Sequence, residues 1–525
     1  MRFTKIVFST VIWLASFKIA SAQQRSVIEL LDAESIEFDQ DFVDAERVKG
    51  HVKFRQDNVY MDCDSAYFYR KQNRIEAFGH IYIRQQDTLN LWGDYAEYDG
   101  DKKIAHLRKN VRLKDQQMEL TTDLLQYDLN TKTGYYTTGG KINNGQDKLE
   151  SRIGRYHSRS KEFFFKDKVK LNNPEYTMTS DTLRYNTVSK VAYFYGPTYI
   201  KSNENTIFCR NGWYDTRNNT SQFSKGAWIS GKDNKLIADS LAYNRNTGVG
   251  QAFRNITLID TLEQIKLRGE YGINYRNEKR TLVSGNPLAI KYLDGDSLFL
   301  KADTLIDITE TDGDRKLLAF HHTKIHKTDM QGVSDSLVYN FTDSTISMFG
   351  QPIIWTENNQ VSGDTIIVYR KVGGLDKMHI LNDAFIASQE KEDAFNQISG
   401  RNMFAYFVSN KLNRVDVKGN GQSIYYAREE DSSYTGVNHI ICSDMLIFLE
   451  NNKVNEITFY TKPSGGFYPV NQLPEDKKRL PDFEWHDDKR PTLQQFLEQK
   501  QQQEDNLPEG VKDLNGNRNK PIPKF

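Results

Sequence analysis

The chain has 525 residues, which is long enough for several ordinary domains or for one elongated array of repeats. It carries 70 basic and 70 acidic residues, so no bulk charge recruits nucleic acid or an anionic membrane. The 28 Tyr and 29 Phe against 12 Pro favour β structure over disorder. We therefore expect an all-β protein whose partners are recognised by shape or by apolar contact.

The first 22 residues have the pattern of a secretory signal peptide. A basic start precedes an apolar run from residue 6 to residue 17, and the small residues Ala20-Ser21-Ala22 follow it. We expect cleavage after Ala22 and export from the cytoplasm. No later stretch approaches the roughly 18 apolar residues of a membrane-spanning helix, so the mature protein is expected to be soluble or peripheral to a membrane.

Residue types that often carry chemistry are scattered. Cys63, Cys209 and Cys442 are odd in number and form no C-x-x-C pair, which favours small buried side chains over disulfides. The run HHTKIH at 321–326 lacks the ligand spacing of a metal site, so we expect a structural role for it. With no phosphate loop or nucleophile motif in view, we predict no catalytic residue, no metal and no cofactor.

A motif of the form D-x-x-x-Y recurs along the chain. Copies stand at 122–128 (TDLLQYD), 180–186 (SDTLRYN), 238–244 (ADSLAYN) and 334–340 (SDSLVYN). The spacing is 29 residues from position 94 to position 239 and 29 to 42 residues afterwards, which indicates stacked supersecondary units. The acidic residues that anchor the repeat are Asp64, Asp94, Asp123, Asp181, Asp239, Asp335 and Asp444.

Apolar side chains keep a fixed phase around each anchor. They stand three residues before it and two and four residues after it, and steps of two mark strands with one buried face. The five-residue step across the anchor is odd, so the inward face changes parity there and a β-bulge or strand corner is predicted. The predicted inward residues are Met61, Ala66, Phe68, Leu91, Ala96, Tyr98, Leu120, Leu125, Tyr127, Met178, Leu183, Tyr185, Leu241 and Tyr243.

A residue that tolerates positive φ follows each anchor by about fifteen positions, as Gly79, Gly196 and Gly226 do. We expect a tight reversal at these positions, so that each unit contains two or three short antiparallel strands. Such a unit cannot bury its apolar face alone, which requires the units to stack and share a core.

The repeats divide the chain into three parts after the signal peptide of residues 1–22. Residues 23–265 contain the regular repeats, and residues 266–465 form a second, more divergent segment. Eight of the 12 prolines lie at or after Pro463, so residues 466–525 are expected to be a largely disordered tail. A short helix around Leu493, Phe496 and Leu497 is predicted inside it, available to dock to a partner.

The segments VKGHV at 48–52 and D-x-x-x-Y with G-x-V between 60 and 113 follow one another in a fixed order. This order resembles the OstA-like domain of the LptA family of periplasmic lipopolysaccharide-transport proteins, best over residues 30–265 and more loosely to 465. The resemblance implies an open β-jellyroll, here with two or more segments in series, whose apolar interior shields the acyl chains of lipid A. The fourteen inward residues named above, from Met61 to Tyr243, are then the candidate lining of this lipid-binding groove. We expect a long member without the outer-membrane barrel of the related LptD proteins.

The resemblance also implies assembly through edge strands. The implied partners are lipopolysaccharide, transport proteins on the inner-membrane side, the outer-membrane barrel and further copies of the chain. Ile28–Leu31 and Ile457–Tyr460 are the candidate docking strands, although each could be capped by its own flanking segment. Two alternatives to a non-catalytic lipid carrier stay open at this point: a carbohydrate-active β-solenoid enzyme, and a structural or adhesive surface rod without lipid.

Overall fold

Strands make up 73% of the residues that the structure describes, and helix only 5%. The structure, a computed structural model, describes residues 25–38, 44–85, 89–115, 118–293, 295–371, 374–391, 393–428, 434–450 and 453–498. It contains two units, residues 1–160 (unit 1) and residues 161–525 (unit 2). The prediction of an all-β repeat array is confirmed, and the predicted boundary at residue 265 stays a prediction.

The described strands of unit 1 are β1 Glu29–Asp32, β2 Ser35–Phe38, β3 Glu46–Gln56, β4 Val59–Tyr69, β5 Arg74–Gln85, β6 Leu89–Asp99, β7 Ile104–Lys114, β8 Glu119–Asp128, β9 Thr133–Tyr136, β10 Gly140–Asn144, β11 Asp147–Ser151 and β12 Ile153–His157. Strands β3 to β8 form an antiparallel meander in chain order. A short 3₁₀ turn, Arg70–Gln72, joins β4 to β5.

The described strands of unit 2 are β13 Glu162–Asn172, β14 Tyr176–Asn186, β15 Val191–Ser202, β16 Thr206–Asp215, β17 Thr220–Ser230, β18 Asn234–Asn244, β19 Val249–Asp260, β20 Ile265–Tyr275, β21 Arg280–Ser284, β22 Leu288–Leu293, β23 Asp296–Lys301, β24 Thr304–Thr309, β25 Arg315–Lys327, β26 Met330–Asn340, β27 Thr345–Phe349, β28 Ile353–Thr356, β29 Asn359–Ser362, β30 Thr365–Lys371, β31 Gly374–Lys391, β32 Ala394–Val408, β33 Lys411–Arg428, β34 Tyr434–Glu450, β35 Lys453–Tyr460 and β36 Ser464–Tyr468. Turns of 3₁₀ helix are Arg276–Glu278, Val470–Gln472, Glu475–Lys477 and Asp487–Lys489, and one helical segment covers 493–498.

A corner interrupts each long strand at its anchor. In β4 the buried residues Met61 and Cys63 precede Asp64, and Ala66 and Phe68 follow it, so the buried face changes parity at the anchor. The register between β3 and β4 shifts at the same point. Both halves of the strand therefore face the same interior, as the sequence pattern predicted.

The neighbouring strand supplies the extra residue of the bulge. Gly79 and His80 of β5 oppose the single residue Asp94 of β6, and both have positive φ, 73° and 40°. The reversal expected at Gly79 is wrong, because Gly79 lies inside a twelve-residue strand. Gly196 and Gly226 also lie within strands, β15 and β17. Residues with positive φ occur in bulges as well as in turns, so the residue type alone does not distinguish the two.

The bulges of neighbouring strands align, and the meander folds along their line into two facing layers. Layer A is the part of each strand that ends at the Arg70–Gln72 side, and layer B is the part that ends at the Gln56 side. The rings of Phe54 in layer B and Phe68 in layer A lie 5.3 Å apart, centroid to centroid, although their strand registers separate them. Unit 1 is thus a two-layer structure with its apolar side chains between the layers.

Unit 2 folds in the same way. The layer A loops of its first eight strands are 186–191, 215–220, 244–249 and 275–280, and the layer B loops are 172–176, 202–206, 230–234 and 260–265. From Ile265 onward the two layers enclose a dense apolar core that includes Met378, Val417 and Ile447, each at most 1% exposed.

Residues 469–498, here called the strap, cross the outer face of unit 2. The side chain of Gln360 accepts from His486 N at 2.8 Å and donates to Glu484 O at 2.7 Å. Phe496 is fully buried against Leu288 and Ile290. The helix expected around Phe496 is present, but it packs on the chain's own sheet. The order of the strap differs from the disorder expected for the tail, and residues 499–525 lie outside the described residues.

Candidate functional site

The predicted inward residues of unit 1 line one continuous interior. Each of the nine is at most 3% exposed: Met61, Ala66, Phe68, Leu91, Ala96, Tyr98, Leu120, Leu125 and Tyr127. Side chains from both layers meet there, because the change of parity at the corner directs the apolar side chains of both halves of each strand into the interior. The interior of unit 1 is therefore closely packed.

Polar contacts close the mouth of this interior, which is the side where the strand ends of the two layers meet. The Tyr98 hydroxyl in layer A donates to Gln56 Oε1 in layer B at 2.5 Å. Lys103 Nζ and Asp57 Oδ2 pair at 2.6 Å, and this bond holds the pKa of Asp57 below its usual value. Ile28, only 4% exposed, plugs the same end, with its N–H donating to Asn73 Oδ1 at 2.8 Å. These hydrogen bonds and the ion pair hold the mouth of unit 1 closed at this end.

The interior of unit 2 is looser between β14 and β19. Met178, Leu183 and Leu241 are buried, at 2 to 3% exposure, as the repeat predicts. Several side chains on the same inward rows are nevertheless partly exposed: Tyr185, Ile200, Ile207, Tyr214, Ile229, Leu236 and Tyr243. Their cross-strand partners place them on the rows of Leu183, Met178 and Leu241 or beside them. Solvent therefore reaches apolar side chains between the two layers.

A small apolar recess of about 20 Å³ follows in chain order. Layer B contributes Ile265 and Leu300, and layer A contributes Leu337 and Tyr339. Lys291 is its charged lining residue; the ammonium contacts the main-chain oxygen of Glu263 and lies 5.2 Å from the Phe341 ring centroid. The recess therefore has room for about one water-sized group, between apolar side chains and one cation.

Ion pairs span the mouth of unit 2. Arg245 in a layer A loop lies 3.4 Å from Glu175 in a layer B loop, and Arg276 lies 3.6 Å from Glu204. These four residues were not among the sequence predictions. The sequence does contain a signal for them, because successive loops alternate between basic and acidic. This alternation can be interpreted only when it is known that successive loops belong to opposite layers.

The acidic anchors lie at the corners, away from the interior. Asp64 contacts His80 Nδ1 at 2.8 Å, and this hydrogen bond raises the pKa of His80. Asp94 of β6 accepts from Asn110 Nδ2 of the adjacent strand β7 at 2.7 Å. These bonds tie neighbouring strands together at the bend, so the anchors are structural braces.

The remaining anchors follow this pattern with variations. Asp239 accepts from Asn255 at 3.2 Å, and Asp335 lies 3.2 Å from His321 Nδ1. Asp123 and Asp181 are exposed corner residues. At the last repeat the residue opposite the bulge is Ser443, one position before Asp444, whose carboxylate accepts from Gly419 N at 3.0 Å. His321 and His322 form the positive-φ pair of β25, which explains the HHTKIH run.

Family comparisons agree with this geometry. Residues 24–181 match the model of the OstA-like protein family, and residues 274–373 match the model of the LptA/(LptD N-terminal domain) LPS transport protein. The two matched segments of the chain are OstA/LptA-like. The search among curated proteins found no match. The family is one of lipopolysaccharide transport, as the sequence resemblance predicted.

The two matches of this OstA/LptA-like chain fall on its corner-bearing strands. The first includes β1 to β13 and most of β14, and the second extends from the end of β20 through β30. In the part of the chain that the structure describes, no helix is long and apolar enough to cross a membrane. The predicted signal peptide, residues 1–22, lies outside the described residues.

The cysteines give a direct test of how tightly the layers pack. Cys63, Cys209 and Cys442 are free and buried, as expected. Burial raises the pKa of the Cys63 and Cys209 thiols to about 12, and it raises the pKa of Cys442 as well. We predict no reaction with Ellman's reagent in the native protein and release of all three thiols on unfolding in guanidinium. A thiol that reacts in the native OstA/LptA-like chain would show that a layer opens around it.

Proposed function

We propose that the chain is a non-catalytic carrier that shields the acyl chains of lipopolysaccharide while the lipid crosses the periplasm to the outer membrane. The observation that carries the proposal is the partly exposed apolar interior between β14 and β19. Each CH₂ group held there instead of in water is stabilised by about 0.8 kcal/mol, so transfer of a lipid into it needs no chemistry. Membership of a lipopolysaccharide-transport family supports this choice of lipid.

The positions of the acids support a role without catalysis. A carbohydrate-active enzyme would gather two carboxylates around one bond of its substrate. Here Asp64, Asp94 and Asp335 stand at separate corners. Each carboxylate contacts a side chain of the neighbouring strand. The strand pairings of the described residues are antiparallel, whereas the rival β-solenoid requires parallel coils. We therefore favour the carrier over the enzyme.

Edge strands at the two ends of the repeat series supply the docking surfaces of the proposed carrier. In unit 1, β1 and β2 pair with β3, and Leu31, Ile36 and Phe38 are exposed on them. In unit 2, β35 and β36 pair with β34. We propose that these strands add to the sheets of other lipopolysaccharide-transport proteins or of a second copy. Ile28 is excluded from the first docking strand, because it is buried.

The location follows from the same proposal. We infer that the signal-like pattern of residues 1–22 directs export, and that the mature chain works in the periplasm, peripheral to the outer membrane when docked. Its partners are then lipopolysaccharide, the inner-membrane transport components and the outer-membrane barrel.

Lipid extraction tests the proposal. The full chain, purified from native envelopes without harsh detergent, is expected to carry lipopolysaccharide in the mass spectrum of its extract. The test variant is Leu241→Glu. It places a charge on the inward row and is expected to lower the amount of bound lipid about tenfold or more. Purification of the folded wild type without any lipid would support the structural rod instead.

A further inference from the structure

The two rims of the unit 2 mouth carry opposite charge. The four layer A loops between 186 and 280 contain six basic and two acidic residues, whereas the four layer B loops between 172 and 265 contain five acidic and one basic residue. A basic rim therefore faces an acidic rim across the partly exposed apolar interior. Rims built for solubility alone need no such separation of sign.

Two ion pairs connect these rims. Arg245 bonds Glu175 and Arg276 approaches Glu204 one repeat further along. Both pairs join loops about seventy residues apart in the sequence, so each one reports the closure of the mouth and not local loop structure.

These pairs are easily broken. The side chains of Arg245 and Glu175 are 60% and 68% exposed, and those of Arg276 and Glu204 are 65% and 75% exposed. Solvent-exposed ion pairs add little to stability. By contrast, Arg315 bonds Asp260 at 2.6 Å with both side chains largely buried, at 23% and 16% exposure. The part of the mouth that opens at little cost thus lies before Arg315.

Two tyrosines connect the arginines to the interior. Tyr214 and Tyr243 lie on the inward row of layer A and are half-buried. A hydrogen bond with Tyr243 is the main cause that raises the pKa of Arg276, while the charge of Arg245 opposes it. Glu175 and then Tyr214 raise the pKa of Arg245. Arg276 N also donates to Gly248 O, in the loop that carries Arg245, at 3.0 Å, so the two arginines stand on adjacent loops above rings that line the interior and their charges repel each other.

We propose that Arg245 and Arg276 form an anion-binding subsite for the phosphate-bearing head group of an amphiphile whose tails occupy the interior of unit 2. Glu175 and Glu204 form ion pairs with these arginines when no ligand is bound. Guanidinium groups form strong paired hydrogen bonds with phosphate oxygens, and a dianionic group between two arginines removes their mutual repulsion. The subsite rests on the proposed lipid-carrier function and adds selection for acidic lipids.

Binding of two single-chain amphiphiles by the full chain tests the subsite. Dodecyl phosphate and dodecyl maltoside have the same tail and differ in head-group charge, and both are titrated calorimetrically below their micellar concentrations. We expect the double variant R245Q/R276Q to bind dodecyl phosphate about tenfold more weakly, with unchanged affinity for dodecyl maltoside. The double variant E175Q/E204Q is expected to bind dodecyl phosphate more tightly, since the competing carboxylates are gone.

The control is Arg184→Gln, which breaks the ion pair with Glu162 on the outward face of the same unit and is expected to change neither affinity. Equal weakening of both amphiphiles in R245Q/R276Q would overturn the subsite but not the carrier function. Displacement of dodecyl phosphate by an equal concentration of inorganic phosphate would overturn it too, as a site for the free anion. Failure of the wild type to bind either amphiphile would overturn the carrier function itself.

Discussion

Replacement of Gly79 by alanine is expected to lower the stability of the β4–β5 region by about 3 kcal/mol. Gly79 has φ of 73°, a conformation that disfavours any residue with a Cβ. A Cβ at this position would also collide with the carboxylate of Asp64. The corner then loses both its backbone geometry and the brace between Asp64 and His80, so the two layers cannot meet in register. Hydrogen exchange of the β4 and β5 amides in the full chain measures the effect.

The hairpin residue Gly145 is the matched control for Gly79. Its φ is 66°, and a Cβ added there would meet no atom of the described residues within 4 Å. Gly145→Ala is therefore expected to cost only the backbone strain, about 1 kcal/mol. Equal losses from the two substitutions would mean that contact with Asp64 contributes nothing to the corner.

Truncation of Trp355 to alanine is expected to destabilise unit 2 by about 4 kcal/mol. Trp355 is fully buried in β28 between Gln331 and Gln360, its cross-strand neighbours. Both glutamines bond the strap, through Arg490 and through Glu484 and His486. The cavity thus forms under the strap and weakens its attachment as well as the sheet. Thermal unfolding followed by circular dichroism measures the loss.

Trp355→Phe separates packing from hydrogen bonding at this position. The buried Trp355 Nε1 has no hydrogen-bond partner among the described residues, so phenylalanine removes an unsatisfied donor while it keeps most of the apolar contact. We expect a loss of about 1 kcal/mol, well below that of alanine. A loss as large as that of alanine would indicate that the indole nitrogen is bonded in solution.

The sequence pattern contains most of the strand architecture. Period-two alternation identifies the buried residues of β4, and the odd step across Asp64 predicts the corner between the two halves of the strand. The turn chemistry of Gly79 is ambiguous, because one positive-φ pair is compatible with a reversal and with a bulge. In the longer strands β33 and β34 the spacing stretches, and the motif alignment misses the true corner at Ser443 by one residue.

The repeat pattern does not predict how far the interior of each unit is open to solvent. Tyr98 and Tyr243 occupy the same position of their repeats, four residues after Asp94 and Asp239. Tyr98 is 2% exposed and its hydroxyl bonds Gln56, whereas Tyr243 is half-buried and bonds Arg276. Contacts between distant loops decide the difference, and no local window of sequence contains them. The strap was hidden for the same reason, since the apolar partners of Phe496 lie about two hundred residues earlier.

Site-specific photocrosslinking tests the central claim that lipid occupies the interior of unit 2. Benzoylphenylalanine in place of Tyr243, on the inward row, is expected to form an adduct with lipopolysaccharide in intact cells. The same probe in place of Tyr199, which is 47% exposed on the outward face of β15, is expected to form none. Adducts of equal yield at both positions, or adducts at Tyr199 alone, would contradict the account.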